Sequence, residues 1–206
     1  MPKQEVPLST LAEYLPEDTT LEILEFLQHF KVHLTITRQR KTVLGDYRNA
    51  HQGKAHRISV NGNLNKYSFL ITLLHELAHL LTFEKYRHTV QPHGREWKSV
   101  FSDLLSGFMN KNIFPPDVDA ALRQSLKNPS ASSCGDLNLM RTLQKYDPQK
   151  KGHCTIEQLS PNSIFKIKDG RQFTRGEKVR TRYKCPEQGT GKVYLFSAIY
   201  EVIKID

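Results

Sequence analysis

The sequence predicts an α+β fold, in which helices surround a small antiparallel sheet and a small β-rich module follows. Three observations predict it. Apolar residues recur at helical spacing in four segments before residue 127. Three short β-type runs bounded by turn residues lie between the first and second of these segments. From Ser163 onward the pattern changes to short β-type runs separated by glycine turns.

The first helix is predicted over about 20–30, where Leu21, Leu24, Phe26, Leu27 and Phe30 follow Glu17-Asp18-Thr19-Thr20. Those acids and hydroxyls suit a helix N-terminus. Strands are expected at 32–37, 42–47 and 56–60, bounded by the turn-rich 49–54 and Asn61-Gly62-Asn63. A largely buried helix is expected from 67 to about 85, which is dense in Leu and Ile and free of Gly and Pro. Trp97, Val100, Phe101, Leu104 and Leu105 predict another over 96–108, and a short one is expected over 117–126 after Pro115-Pro116. The resulting domain covers 1–127. Residues 128–162, with a Ser/Pro/Gly-rich start and a polar stretch at 146–152, are expected to connect it to the module at 163–206. Strands in that module are expected at 164–167, 178–183, 192–196 and 200–205.

Composition narrows the function classes. Lys and Arg outnumber Asp and Glu by 30 to 21, for a formal charge of +9. The excess collects between Arg38 and Lys66 and in the C-terminal module, whereas the first thirty residues are acidic. Such a balance is compatible with nucleic acid as a partner and equally with a solvated basic face. Cys134, Cys154 and Cys185 are odd in number, widely spaced and in no Cys-x-x-Cys pair, which predicts a reducing compartment rather than a disulfide framework. No apolar leader is visible at Met1-Pro2-Lys3-Gln4-Glu5, and the most apolar stretch, 69–83, is interrupted by His75, Glu76 and His79. A soluble cytoplasmic protein with no membrane partner is the expectation.

The decisive motif is His75-Glu76-Leu77-Ala78-His79, a His-Glu-x-x-His sequence inside the long apolar helix. Residues four apart share a helical face, so both imidazoles can reach one metal ion while Glu76 stands beside them as a general base. Imidazole donors favour Zn2+, one catalytic ion held by three protein ligands with a position left for water. Burying two His and a Glu in an apolar helix without a task would be costly. The chemistry implied is peptide hydrolysis by an activated water, without a covalent intermediate.

The third ligand decides the subclass. Thr82 and Lys85 stand where the long metzincin motif would need Gly and His, which excludes that group. Glu84, Glu96, His88 and His93 remain. Glu84 lies only five residues past His79 and is expected on the same helix, and His88 is expected on the loop surface. His93 is favoured, because Pro92 and Gly94 around it mark a turn able to bring it back to the helix.

Leu44-Gly45-Asp46-Tyr47, His56-Arg57-Ile58-Ser59-Val60-Asn61, the His75 to His79 motif and His93-Gly94-Arg95-Glu96-Trp97-Lys98 together resemble the SprT-like metallopeptidase domain, in that family's order over roughly 20–110. The resemblance implies a minimal zincin-like fold, zinc on His75, His79 and His93, Glu76 as catalytic acid/base, and kinship with Spartan-type proteases that digest DNA-crosslinked proteins. The C-terminus departs from the family pattern: around Cys185 at most half of one knuckle of the usual four-cysteine zinc ribbon is present. A β-rich module with an apolar core is expected in its place. The alternatives are a nucleic-acid-binding protein with a structural or vestigial metal site, and a metal-dependent hydrolase of a non-peptide bond.

Overall fold

A computed structural model describes residues 8–40, 42–127 and 135–205. The chain forms two compact units, Met1–Asp147 and Pro148–Asp206. Lys41, Cys134, the Ser/Pro-rich 128–134 and Asp206 lie outside the described residues.

The first unit runs through a short 3-10 helix, Leu8–Glu13, then α1 (Thr20–His29), β1 (His33–Thr37), β2 (Gly45–Arg48), β3 (Arg57–Asn61), α2 (Lys66–Tyr86), α3 (Arg95–Met109), α4 (Pro116–Ser125) and α5 (Leu137–Gln144). Helix α2 is its axis. Every residue from Phe69 to Ala78 is buried, so this stretch of the helix has no solvent stripe. Its start is set by Asn65, whose side chain accepts from the Ser68 amide at 2.9 Å. Around it, Ile23 and Leu27 of α1, Leu34 and Ile36 of β1, Ile58 and Val60 of β3, and Trp97, Phe101, Leu105 and Phe108 of α3 complete one apolar core. The last four recur every three or four residues and form a single stripe on α3.

The α+β architecture agrees with expectation, but the sheet is mixed. Its order is β1-β3-β2. β2 and β3 pair antiparallel, with Tyr47 opposite Ile58, whereas β1 and β3 run parallel, with His33 opposite Arg57. The chain leaves β1, crosses to the far edge to make β2, and returns through the middle as β3. β2 is therefore an edge strand.

The expected connecting segment carries structure. Within 128–162, α5 starts at Asp136, whose carboxylate accepts from the Asn138 and Leu139 amides at 2.9 and 3.1 Å, and it buries Leu139 and Leu143 in the first unit's core. Asn65 ties its end down, donating to Leu143 O at 3.0 Å and to Asp147 at 2.6 Å. β4 (His153–Thr155) and a 3-10 turn, Ile156–Gln158, belong to the second unit.

That unit continues with β5 (Ile164–Lys166), β6 (Gln172–Thr174), β7 (Lys178–Val179), β8 (Arg182–Pro186), β9 (Val193–Ser197) and β10 (Glu201–Lys204). Two small antiparallel sheets, β4-β10-β5-β6 and β7-β8-β9, enclose Phe165, Phe173, Tyr183, Cys185 and Val202. The single strand expected over 178–183 is two strands, because Arg180 adopts a left-handed φ of 54° and turns the chain. Among the described residues no helix is long and apolar enough to cross a membrane.

Candidate metal centre

His75 and His79 stand one turn apart on α2, their ring centroids separated by 5.0 Å. His93 arrives from the loop before α3. Its backbone lies in the left-handed region at φ 59°, the chain is pinched by a Gly94 amide to Gln91 carbonyl bond of 2.9 Å, and Gly94 begins the helix. A Cβ on Gly94 would stand 2.9 Å from Gln91 O, so the turn that presents His93 requires glycine there.

One ligand nitrogen from each of the three rings can be chosen so that all lie within 4.8 Å of one another. Among the described residues this is the grouping of His, Cys, Asp and Glu that could hold a metal ion. The Nε2 atoms of His75 and His93 are 3.3 Å apart. That is the edge of a tetrahedron whose corners lie about 2.0–2.1 Å from its centre, the ordinary zinc to imidazole distance. The three imidazole donors suit zinc, and the His75–His93 separation matches such an edge.

The rivals for third ligand are accounted for elsewhere. Glu84 accepts from Arg87 at 2.8 Å and faces His56 Nε2 at 3.3 Å. Glu96 lies beside Arg95 at 3.5 Å. His88 is exposed and packs on Phe83, with centroids 5.1 Å apart.

Trp97, fully buried, forms the floor of the site, its ring 4.6, 5.1 and 4.7 Å from those of His75, His79 and His93. Phe101 stacks beneath it at 5.1 Å. Glu76 is buried at 6% exposure, with its carboxylate against β2. A Cβ on Gly45 would fall 2.5 Å from Glu76 Oε1 and 2.8 Å from its Cγ. Gly45 is thus the gap in β2 that the carboxylate occupies. Arg40 braces the same edge, donating to Asn61 Oδ1 at 2.8 Å, Ser59 Oγ at 3.0 Å and Leu44 O at 3.3 Å. The motif alone pointed to neither Gly45 nor Trp97 as parts of the site.

Gly45→Ala is expected to displace the Glu76 carboxylate, and a misplacement of about 1 Å can cost about 10²-fold in rate. Zinc uptake by the histidines should survive. Activity and zinc content measured together check this, and full activity in the alanine variant would refute the contact.

Burial sets the electrostatics. It holds the His75 imidazole down to about 3 and His79 to about 4, with the neighbouring imidazoles adding to the effect. His93 is lowered by the same cause. Burial, then Asp46, pushes the Glu76 carboxyl up to about 8, against the pull of Arg40. These are values of the metal-free site; a cation among the imidazoles would favour the Glu76 carboxylate.

A depressed imidazole takes up its proton on unfolding, so acid lowers metal-free stability from the ordinary 6.5 down through about 4. A raised carboxyl releases its proton on unfolding, so stability also falls as pH rises from 4.5 through about 8. With three lowered imidazoles against one raised carboxyl, the opposing trends place the optimum between about pH 4 and 8. Thermal midpoints of chelator-treated protein are expected to peak there, and a maximum above pH 8 would contradict these environments.

Residues 15–113 match the model of the SprT-like family. That segment belongs to the SprT-like family. It spans α1 to the end of α3 and contains His75, Glu76, His79, His93, Gly45 and Trp97. An SprT-like domain is of the metallopeptidase type, and its family is typically metal-dependent, in keeping with the histidine cluster. No curated protein and no solved structure matches the chain.

Proposed function

We propose that the SprT-like domain is a zinc-dependent peptidase in which His75, His79 and His93 hold the ion and Glu76 is the general base. The observation that carries this is the convergence of three imidazole nitrogens from α2 and the α3 turn, with Glu76, the neighbour of His75 in sequence, buried against Gly45 of β2. Zinc in that position would supply Lewis acidity and lower the pKa of a water to about 7. Glu76 accepts the proton of the water that attacks the scissile carbonyl and passes it to the departing amine. The buried floor of Trp97 and Phe101 excludes bulk water from one side of the triad. β2 lies at the sheet edge with Gly45 against Glu76, so an extended peptide paired along that edge would pass the carboxylate.

Proteins held on DNA are the substrate we favour, in a reducing cytoplasmic setting. The +9 charge and the Spartan-like motifs support this. Part of the basic surface is paired within the chain: Arg48 with Asp46, Arg171 with Asp169, Lys184 with Glu177. Exposed pairs of this kind are worth about 0–1 kcal/mol and yield readily to phosphate. The rival reading, a nucleic-acid-binding protein with a vestigial metal site, rests on the same charge and predicts binding without cleavage.

One experiment separates them. The chain's single tryptophan touches all three histidines, so its emission reports metal entry. Zinc titration of chelator-treated protein followed by that emission, and cleavage of a DNA-binding protein with and without DNA at two salt concentrations, give the result. Saturable zinc binding with zinc-dependent cleavage, faster with DNA at low salt, is expected. Zinc binding without cleavage of any protein would overturn the peptidase reading. Cleavage indifferent to DNA, with no DNA binding at low salt, would remove the DNA substrate alone.

A further inference from the structure

Three buried or half-buried groups beside the site, Glu84, His56 and Tyr47, take no part in holding metal or moving the proton, yet they form a chain ending on a metal-binding imidazole. His56, 7% exposed, lies just before β3, and its carbonyl accepts from the His33 amide at 2.8 Å, tying its backbone to β1. Its Nδ1 stands 3.2 Å from the Ala50 amide nitrogen and 2.9 Å from the Tyr47 hydroxyl. A backbone amide can only donate, so Nδ1 is an acceptor and the ring proton sits on Nε2. Nε2 faces Glu84 Oε1 at 3.3 Å, and Arg87 holds the Glu84 carboxylate at 2.8 and 3.5 Å. The Tyr47 hydroxyl must then be the donor to Nδ1, which fixes its orientation. Tyr47 stacks on His56, with centroids 5.9 Å apart and planes 15° apart, and lies nearly parallel to His79 at 6.4 Å and 4°.

The three histidines of the triad differ in what orients them. His75 is packed by Trp97 and Phe101, and His93 by Trp97. His79 has Trp97 as one aromatic neighbour, at 33°, and Tyr47, parallel, as another. Glu84 and His79 lie on the same helix, five residues apart, so the chain of contacts returns to α2 and closes a ring: Glu84, His56, Tyr47, His79.

We propose that Tyr47, oriented by His56 and Glu84, is a positioning residue that sets the plane of the His79 imidazole for metal binding. Hydrogen-bonded partners of metal-binding histidines are typically worth about 10- to 100-fold in affinity; Tyr47 meets His79 through its ring alone, so that range bounds its effect from above. The inference rests on the metal reading of the triad.

Full-length protein carrying Tyr47→Phe, which keeps the ring but loses the bond to His56, and Tyr47→Ala, which loses both, would be compared with wild type. Zinc dissociation constants by chelator competition and the visible absorption of cobalt-loaded protein are the readouts, since ligand-field bands report the coordination geometry directly. Zinc affinity about 10-fold weaker in Tyr47→Phe, and up to about 100-fold weaker in Tyr47→Ala, with shifted cobalt bands, is expected. Affinities within about twofold of wild type with unchanged cobalt bands would overturn the proposal; Tyr47→Phe decides it alone if Tyr47→Ala does not fold. Wild type that binds neither ion defeats the metal reading itself, and this inference with it. Wild type that binds normally beside unaffected variants defeats only the role of Tyr47.

Discussion

Glu76→Gln is expected to reduce peptide cleavage by about 10²- to 10⁴-fold while zinc uptake stays at the wild-type level. The amide has nearly the carboxylate's shape, so it can fill the space above Gly45 without disturbing β2, but it has no basic oxygen to receive the proton of an attacking water. His75 and His79 keep their places because their orientation comes from Trp97, Phe101 and Tyr47, none of which touches Glu76 through its charge. A second consequence follows from burial. Because the carboxyl is pushed up to about 8 in the metal-free fold, wild type loses stability as pH rises through that value, and the uncharged amide does not. Chelator-treated Glu76→Gln should therefore melt higher than wild type at pH 9, with the difference shrinking toward pH 5. Retention of cleavage within about tenfold would remove Glu76 from the base's role, since such catalysis contributes at least about 10²-fold. Equal melting of the two proteins at pH 9 would show that the carboxyl is not buried as described.

The helices before residue 127 were legible because their signals are local. The apolar spacing in Leu21 to Phe30 and Trp97 to Leu105, and the unbroken apolar run around His75, place α1, α2 and α3 within a residue or two of where they stand. The grouping of His75, His79 and His93 was legible for a related reason: the His-Glu-x-x-His spacing puts two imidazoles on one helix face, and a Pro and a Gly announce the turn at His93. What escaped depends on contacts distant in sequence. No pattern in Gly45 to Arg48 tells that β2 lies at the sheet edge with β3 between it and β1. The role of Gly45 exists only because Glu76, 31 residues on, fills the space its missing Cβ leaves. α5 went unread because Leu137, Leu139 and Leu143 are few and sit between polar stretches, although Asp136 ahead of them is an N-cap signal that could have found it. Glu84 remained a candidate ligand until the structure placed His56 and Arg87 on it, two partners that no spacing rule connects.

His93→Ala is expected to lower zinc affinity by more than the roughly 10- to 100-fold that loss of a supporting partner costs, because it deletes one of three nitrogens outright and leaves two on a single helix face. His88→Ala, five residues away in the same loop, should leave affinity within about twofold: its ring is exposed and touches Phe83 rather than the cluster, and such surface changes seldom exceed about 0.5 kcal/mol. The contrast isolates the ligand from the loop. One complication is backbone conformation, since His93 has φ 59° and alanine is poorly suited to the left-handed region. Asn tolerates that region well, so His93→Asn keeps the turn while withdrawing the imidazole, and it should lose zinc as His93→Ala does. Zinc content by elemental analysis, with affinity by chelator competition, reads all three variants. Tryptophan emission adds a local check, because Trp97 lies 4.7 Å from the His93 ring and should no longer respond to micromolar zinc when that imidazole is gone. Equal zinc loss in the His88 and His93 variants, or loss at His88 alone, would transfer the third ligand away from His93 and with it the tetrahedral reading of the 3.3 Å separation between its Nε2 and that of His75.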